Sequence, residues 1–333
     1  MNTTKIDLVN IALMVISCAL AYFLPFELFL FSYAVLGPLH YLTEIAWLHK
    51  KEYFSKARYD FLILGGLAVA IYFLGFHSNF ETPRQHMMWS SGVVYLAFTF
   101  AFAFALFSKM LHRFWFIMGA LVLLLIIDRK VPEPNSFIRL FGLFLPTLVH
   151  VFVFTGVFIL VGALKNKSAT GIASLIVFVV CGISFFVFIP NVQYQASEYV
   201  KNSYQGFQMI NIELSRLLGL TEIKTIPEVY SSPYSIAIAR FVSFAYTYHY
   251  LNWFSKTSVI KWHKVPKLQL GIVVGIWIIA LITYGINYNI GLQALYALSF
   301  LHVFLEFPLN HQSFIQAGNL IFKGKKATII KEI

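Results

Sequence analysis

Two segments of the chain place histidine and glutamate at the same spacing, H-x3-E-x4-H. The positions are His40, Glu44 and His49 in one segment and His302, Glu306 and His311 in the other. A histidine and a glutamate four residues apart lie on one face of an α-helix. Imidazole ligates transition metals, and a carboxylate either ligates as well or orients a ligating imidazole. The repeated unit therefore predicts part of a metal site.

Both segments lie in long apolar runs, and so do two further histidines, His150 and His249. Ionisable groups inside a membrane are costly and usually serve a function. The four predicted helices run in one direction, and their histidines agree in depth to within about 6 Å at about 1.5 Å rise per residue. We expect all four imidazoles to hold one metal: His40, His150, His249 and His302. Taken singly, each could instead be a hydrogen-bonding residue between helices.

Glu44 and Glu306 follow the first histidine of each unit by one helical turn. We assign both a catalytic role at the metal, either as ligands or as acceptors that orient a ligating imidazole. His49 and His311 lie about half a turn further around a straight helix. We therefore expect these two at helix interfaces rather than at the metal.

The identity of the metal follows from the donor types. The two cysteines lie in apolar runs and offer neither a disulfide framework nor a cysteine metal site. Histidine suits iron, zinc and copper. Non-haem iron is our first choice for a buried histidine site, with haem or another transition metal as the alternative.

Composition decides the fold class. The chain is 59% hydrophobic and 12% charged, and it contains 35 phenylalanines. Several apolar runs reach the roughly 20 residues that a bilayer span needs. We predict an all-α polytopic integral membrane bundle, one transmembrane domain over residues 1–333. The expected spans are ten, over residues 6–24, 26–48, 59–76, 87–108, 112–128, 137–164, 171–189, 234–255, 268–289 and 291–310.

The formal net charge of +11 could indicate nucleic-acid binding, but the positions of the basic residues indicate membrane topology instead. If the N-terminus is cytoplasmic, 17 of the 25 lysines and arginines fall in the segments on that side, including Lys109 and Arg113 where the fourth and fifth spans join. This pattern predicts a bacterial-type inner membrane protein with both termini in the cytoplasm. The expected partners are membrane lipids, an apolar lipid-soluble substrate and O2, and no nucleic acid.

One long polar connection, residues 190–233, is expected outside the cytoplasm. Its middle has apolar residues at helical spacing: Val200, Tyr204, Phe207, Ile210, Leu214 and Leu217. This pattern predicts an amphipathic interfacial helix. It is either a lid over the bundle or a surface loop tied down by that helix.

The four histidines lie in short motifs. These are Gly37-Pro-Leu-His40-Tyr-Leu-Thr-Glu44, Leu148-Val-His150-Val-Phe-Val-Phe, Tyr246-Thr-Tyr-His249-Tyr-Leu-Asn-Trp and Leu301-His302-Val-Phe-Leu-Glu306. They resemble motifs of the bacterial Brp/Blh family of membrane β-carotene-cleaving dioxygenases. The resemblance implies a helical bundle with four histidines around a non-haem iron. The chain departs from the family by Glu in place of Asp, by Tyr41 in place of Gly, and by one His in the third motif.

Three functional hypotheses follow. The first is a membrane-embedded non-haem iron oxygenase acting on a carotenoid, another polyene or another lipid. The second is a haem-binding or haem-processing membrane protein with paired axial histidines. The third is a proton-coupled transporter that uses histidine and glutamate as a relay.

Overall fold

The computed structural model describes residues 3–51, 59–76, 83–130, 135–189, 194–220, 223–256 and 265–322. Within these ranges the regular elements are helices, with no strand. Helices satisfy their own backbone hydrogen bonds, which apolar segments in lipid require. The all-α prediction is confirmed.

Six helices cover the first half of the chain. They are α1 (Thr3–Phe23), α2 (Glu27–Phe31, π-helical Ser32–Leu36 and Gly37–Lys51), α3 (Asp60–Phe76), α4 (Pro83–Leu106), α5 (Met110–Lys130) and α6 (Asn135–Phe137, π-helical Ile138–Phe154 and Thr155–Asn166). The remaining helices are α7 (Ala169–Val187), α8 (Glu198–Ser203), α9 (Gln208–Leu217), α10 (Ile226–Ser231), α11 (Pro233–Ser255), α12 (Lys267–Ile286) and α13 (Tyr288–Phe322).

Every predicted span overlaps one of these helices. In the described ranges, seven helices are long and apolar enough to cross a membrane: α1, α2, α4, α6, α7, α12 and α13. Two shorter apolar helices are α3 and the Met110–Ile126 part of α5. The eighth predicted span, residues 234–255, matches α11, which is in neither set because serine, threonine, arginine and asparagine interrupt its apolar residues.

Helix α11 buries many of its polar side chains inside the protein. Most of its residues are buried. The Thr247 and Ser32 hydroxyls lie 2.7 Å apart, and Arg240 Nε donates to the Tyr22 carbonyl at 3.0 Å. Buried polar groups cost free energy unless they are paired. These two contacts pair polar side chains that α11 buries.

The contacts divide the chain into two compact units, each discontinuous in sequence. Unit 1 comprises Met1–His40, Val151–Leu292 and Ala317–Ile333, and unit 2 comprises Tyr41–His150 and Gln293–Gln316. Two of the predicted site histidines, His40 and His249, therefore belong to unit 1. The other two, His150 and His302, belong to unit 2.

Unit 1 is built around α11. Helices α1 and α7 pack against α11 and against each other. The first part of α2 also packs against α11. The core between them is aromatic and sulfur-rich, and it includes Met14, Phe178, Phe185, Phe244 and Tyr248. This packing fixes the orientation of the helix that carries His249.

The connection over residues 190–233 also belongs to unit 1, and its residues 190–193 and 221–222 lie outside the described ranges. The predicted single helix is three short pieces: α8, a 3-10 turn (Gln205–Phe207) and α9. The predicted apolar positions are buried except Leu217, which is exposed. Tyr204 donates to Asn211 Oδ1 at 2.7 Å, and burial raises the pKa of the Tyr204 hydroxyl.

In unit 2, α4 packs against both α3 and α5. A buried ion pair joins α3 to α5, with Arg113 Nη1 3.0 Å from both carboxylate oxygens of Asp60. Arg113 Nε also donates to the Phe107 carbonyl at 2.7 Å. The topology prediction counted Arg113 as a loop charge, and the structure instead places its guanidinium in the interior. Many of the other lysines and arginines behind that prediction lie outside the described residues.

Candidate metal centre

Two site helices deviate from regular α-helix next to their histidines. In α2, the π-helical turn Ser32–Leu36 ends four residues before His40. In α6, His150 lies inside the π-helical stretch Ile138–Phe154, which also contains Pro146. Proline removes a backbone donor, and π-helical turns are frequent at functional sites. These segments set the direction in which each histidine points.

A histidine pair and a carboxylate form one cluster in unit 2. His302 and Glu306 lie one turn apart on α13, and His150 comes from α6. The Nε2 atoms of His150 and His302 are 3.1 Å apart, and His150 Nδ1 is 3.2 Å from Glu306 Oε2. One ligand atom from each of the three residues lies within 4.8 Å of the others. All three side chains are buried, so this cluster is a candidate metal centre.

The partner of each Nδ1 atom determines whether the Nε2 atom of the same ring carries a proton or a lone pair. His302 Nδ1 is 2.7 Å from the Ser299 carbonyl, which only accepts, so the proton of a neutral His302 ring is on Nδ1. His150 Nδ1 faces Glu306, and an ionised carboxylate likewise only accepts. With Glu306 ionised and both imidazole rings neutral, two lone pairs therefore face each other across 3.1 Å. A cation between them removes this repulsion.

The separation of these nitrogens fits two ligands of one transition metal. With metal–nitrogen bonds of about 2.1 Å, nitrogens 3.1 Å apart subtend an angle of about 95° at the metal. That angle suits adjacent positions of a coordination sphere. Nitrogens on opposite sides of one metal would be about 4 Å apart, so the pair does not have the spacing of two axial haem ligands.

Unit 1 carries a second histidine pair of the same form. His40 Nε2 and His249 Nε2 are 3.2 Å apart, and His249 Nδ1 is 2.9 Å from Thr155 Oγ1. Both rings are buried. The rings of Tyr250 and Trp253 pack on His40 with centroids at 5.0 and 5.7 Å. The two pairs thus share a design in which the Nε2 atoms face each other and an Nδ1 atom is held from behind.

The two H-x3-E units differ in how their glutamates are placed. Glu306 contacts His150 directly. Glu44 is equally buried, but among the described residues it is not in a group whose ligand atoms are close enough to share one metal. The shared function predicted for both glutamates stays a prediction, and so does the convergence of all four histidines on one metal.

The last histidine of each repeated unit, His49 or His311, was predicted to lie at a helix interface. His311 is buried between the rings of Phe98 and Phe102, at 4.4 and 4.6 Å, and its Nε2 is 3.4 Å from the Phe98 carbonyl. It lies between α13 and α4, as expected for an interface residue. The His49 side chain lies outside the described residues.

Two partners of the site were missed by the sequence analysis. Thr155 holds His249, and the Ser299 carbonyl holds His302. A threonine in an apolar run and a backbone carbonyl carry no pattern of their own. Only the position of Ser299, three residues before His302 on the same helix, could have indicated its role.

No protein-family model, curated protein or solved structure matches the chain. The resemblance to the Brp/Blh dioxygenases therefore stays a prediction. Tyr41, which departs from the family motif, packs its ring against His302 with a centroid distance of 5.6 Å.

Proposed function

We propose that the chain is a membrane-embedded metal-dependent oxidoreductase, a non-haem iron oxygenase that acts on a lipid-soluble substrate. The observation that carries the proposal is the buried cluster of His150, His302 and Glu306. A carotenoid, another polyene or another lipid is the substrate class. The proposal includes ten transmembrane spans, both termini in the cytoplasm and a bacterial-type inner membrane.

The groups of the cluster have two roles: the imidazole Nε2 atoms would bind the metal, and the acceptors beside the Nδ1 atoms determine which ring nitrogen carries the proton. The Nε2 atoms of His150 and His302 are the donors that would bind iron. Glu306 Oε2 lies 3.2 Å from His150 Nδ1, which favours the tautomer with its proton on Nδ1 and would raise the basicity of the ligating nitrogen. The Ser299 carbonyl does the same for His302. Bound iron supplies the chemistry of O2 activation.

The surroundings of each pair keep water away. The rings of Tyr41, Tyr250 and Trp253 pack against the imidazoles. An apolar wall also favours an apolar substrate over a polar one. This combination supports oxidation of a lipid-soluble molecule rather than the water-filled route that a transporter needs.

The experiment is an oxygen-incorporation assay. Full-length protein in detergent is loaded with Fe(II) without oxygen and then exposed to 18O2 with a bacterial membrane lipid extract. We expect 18O in a lipid product, lost in His302→Ala and retained in His311→Ala, a buried histidine of the same helix outside the cluster. Absence of labelled lipid with the iron-loaded protein, or a Soret band in its spectrum, contradicts the proposal.

A further inference from the structure

Helices α4 and α5 of unit 2 border a cleft of about 590 Å³. Its lining is mostly aromatic and includes Tyr95, Phe98, Phe102, Trp115 and Phe116. Ligand pockets of proteins have volumes of about 300–1,000 Å³. The cleft is therefore large enough for a substantial part of a lipid-sized molecule.

The two hydroxyl groups of the lining are already used within the protein. Tyr95 donates to the Ala120 carbonyl at 3.1 Å, and Thr99 donates to the Tyr95 carbonyl at 2.8 Å. Apart from the indole N–H of Trp115, the walls therefore present ring faces and aliphatic groups to a ligand. A polar headgroup would lose most of its hydrogen bonds to water there without replacement, whereas a hydrocarbon chain has none to lose.

One wall of the cleft touches the helix that carries the metal cluster. The Phe98 ring packs on Phe307 of α13 with a centroid distance of 5.2 Å and on His311 at 4.4 Å. Phe307 directly follows Glu306. A ligand in the cleft is thus separated from the residue next to Glu306 by a single aromatic side chain.

The other side of the cleft is open. Trp115 is 65% exposed and Leu123 is 50% exposed. A Cβ atom built on Gly119 would meet nothing within 4 Å. On a helix that lies in a membrane, such an opening faces lipid rather than water. A molecule dissolved in the bilayer can enter it sideways.

We propose that this cleft binds the hydrocarbon chain of a lipid-soluble molecule and leaves its polar end outside. This proposal rests on the proposed function in one respect only, namely that the bound molecule is the substrate of the oxygenase. Binding itself needs no metal, because none of the lining residues belongs to the cluster. Binding to the cleft and binding of iron can therefore fail separately.

The test uses parinarate, a fluorescent fatty acid, with the full-length protein in detergent. Energy transfer from tryptophan to parinarate reports binding, and the part lost in Trp115→Phe reports binding in the cleft. Palmitate serves as the competitor, since it offers the same chain chemistry without the chromophore. Gly119→Phe fills the cleft from its open side. Gly275→Phe is the matched control, because Gly275 on α12 is also exposed and also has nothing within 4 Å of a built Cβ.

We expect Gly119→Phe to weaken parinarate binding at least tenfold and Gly275→Phe to leave it unchanged. His302→Ala should lose iron and still bind parinarate. Equal binding by the two glycine variants overturns the proposal, as does failure of palmitate to compete. A change of oligomeric state in Gly119→Phe alone also overturns it, because a second copy of the chain would then cover the cleft. Circular dichroism confirms that both variants are folded.

Discussion

The Nε2 atoms of His150 and His302 face each other at 3.1 Å, while the Nδ1 atom of each ring is held from the opposite side. Held in this way, neutral rings present two lone pairs to the same point. Such a pair is unfavourable in an apolar interior unless a positive charge lies there. The arrangement is what a metal site needs before the metal binds.

The contact between Glu306 and His150 predicts that the two glutamates of the repeat are not equivalent. Glu306→Gln replaces an obligate acceptor by an amide and weakens its hold on the His150 ring. Loss of such an orienting partner typically costs about 10–100-fold in metal affinity. We expect a loss of that size in Fe(II) titrations of Glu306→Gln.

Glu44→Gln is the matched comparison, since Glu44 has the same spacing from His40 and the same burial. Its effect on Fe(II) affinity should be smaller than that of Glu306→Gln. Equal losses in the two variants would show that both glutamates act on the metal, as the sequence pattern alone predicts.

Thr155 should affect Fe(II) affinity by orienting the ring of His249. Thr155→Val keeps the shape of the side chain and removes the hydroxyl that lies 2.9 Å from His249 Nδ1. If His249 is a ligand, Fe(II) affinity should fall by about tenfold or more, and Thr155→Ser should restore it. Unchanged affinity in Thr155→Val would remove His249 from the set of iron ligands.

Thr99→Val is a suitable control for this prediction. Thr99 is also a buried threonine in a helix, but its hydroxyl donates to the Tyr95 carbonyl of its own helix. Its replacement should leave the iron affinity at the wild-type value.

The buried pair of Asp60 and Arg113 predicts a large effect on stability. Asp60→Asn leaves the guanidinium buried without its counter-charge, which costs about 3–5 kcal/mol. We expect a clearly lower thermal unfolding temperature in detergent. The double variant Asp60→Asn with Arg113→Met removes both charges and should recover most of the loss. A single variant as stable as the wild type would mean that the pair contributes little.

The helices could be predicted from the apolar runs because length and composition decide whether a segment can form a membrane-length helix. The burial of the four histidines followed from the same runs. The apolar pattern of the connection after α7 also located buried residues such as Val200 and Ile210. Its division into short helices depends on local turns that this pattern does not contain.

The pairing of the site residues could not be predicted. An ideal helix has 3.6 residues per turn, and the π-helical segments in α2 and α6 change the direction of every side chain that follows. Depth along the helix could be estimated from the sequence, but rotation about its axis could not. For this reason the sequence pattern predicts equivalent glutamates and does not identify Thr155.

The buried position of Arg113 was missed for a related reason. It follows a predicted loop, and its counter-ion, Asp60, is distant in sequence. A charge next to an apolar run is normally read as a topology signal. Only the three-dimensional structure, which brings the first residue of α3 next to the first turn of α5, could reveal that the two charges meet.

The most direct test of the account is the metal content of four proteins purified in parallel: the wild type, His150→Ala, His302→Ala and His311→Ala. Elemental analysis after Fe(II) loading should find iron in the wild type and in His311→Ala, and a loss of most of it in the other two. More than one iron per chain at full loading would contradict the prediction that all four site histidines hold a single metal. A wild-type protein that binds no transition metal, or His150→Ala and His302→Ala variants that bind as much as His311→Ala, would contradict the central claim.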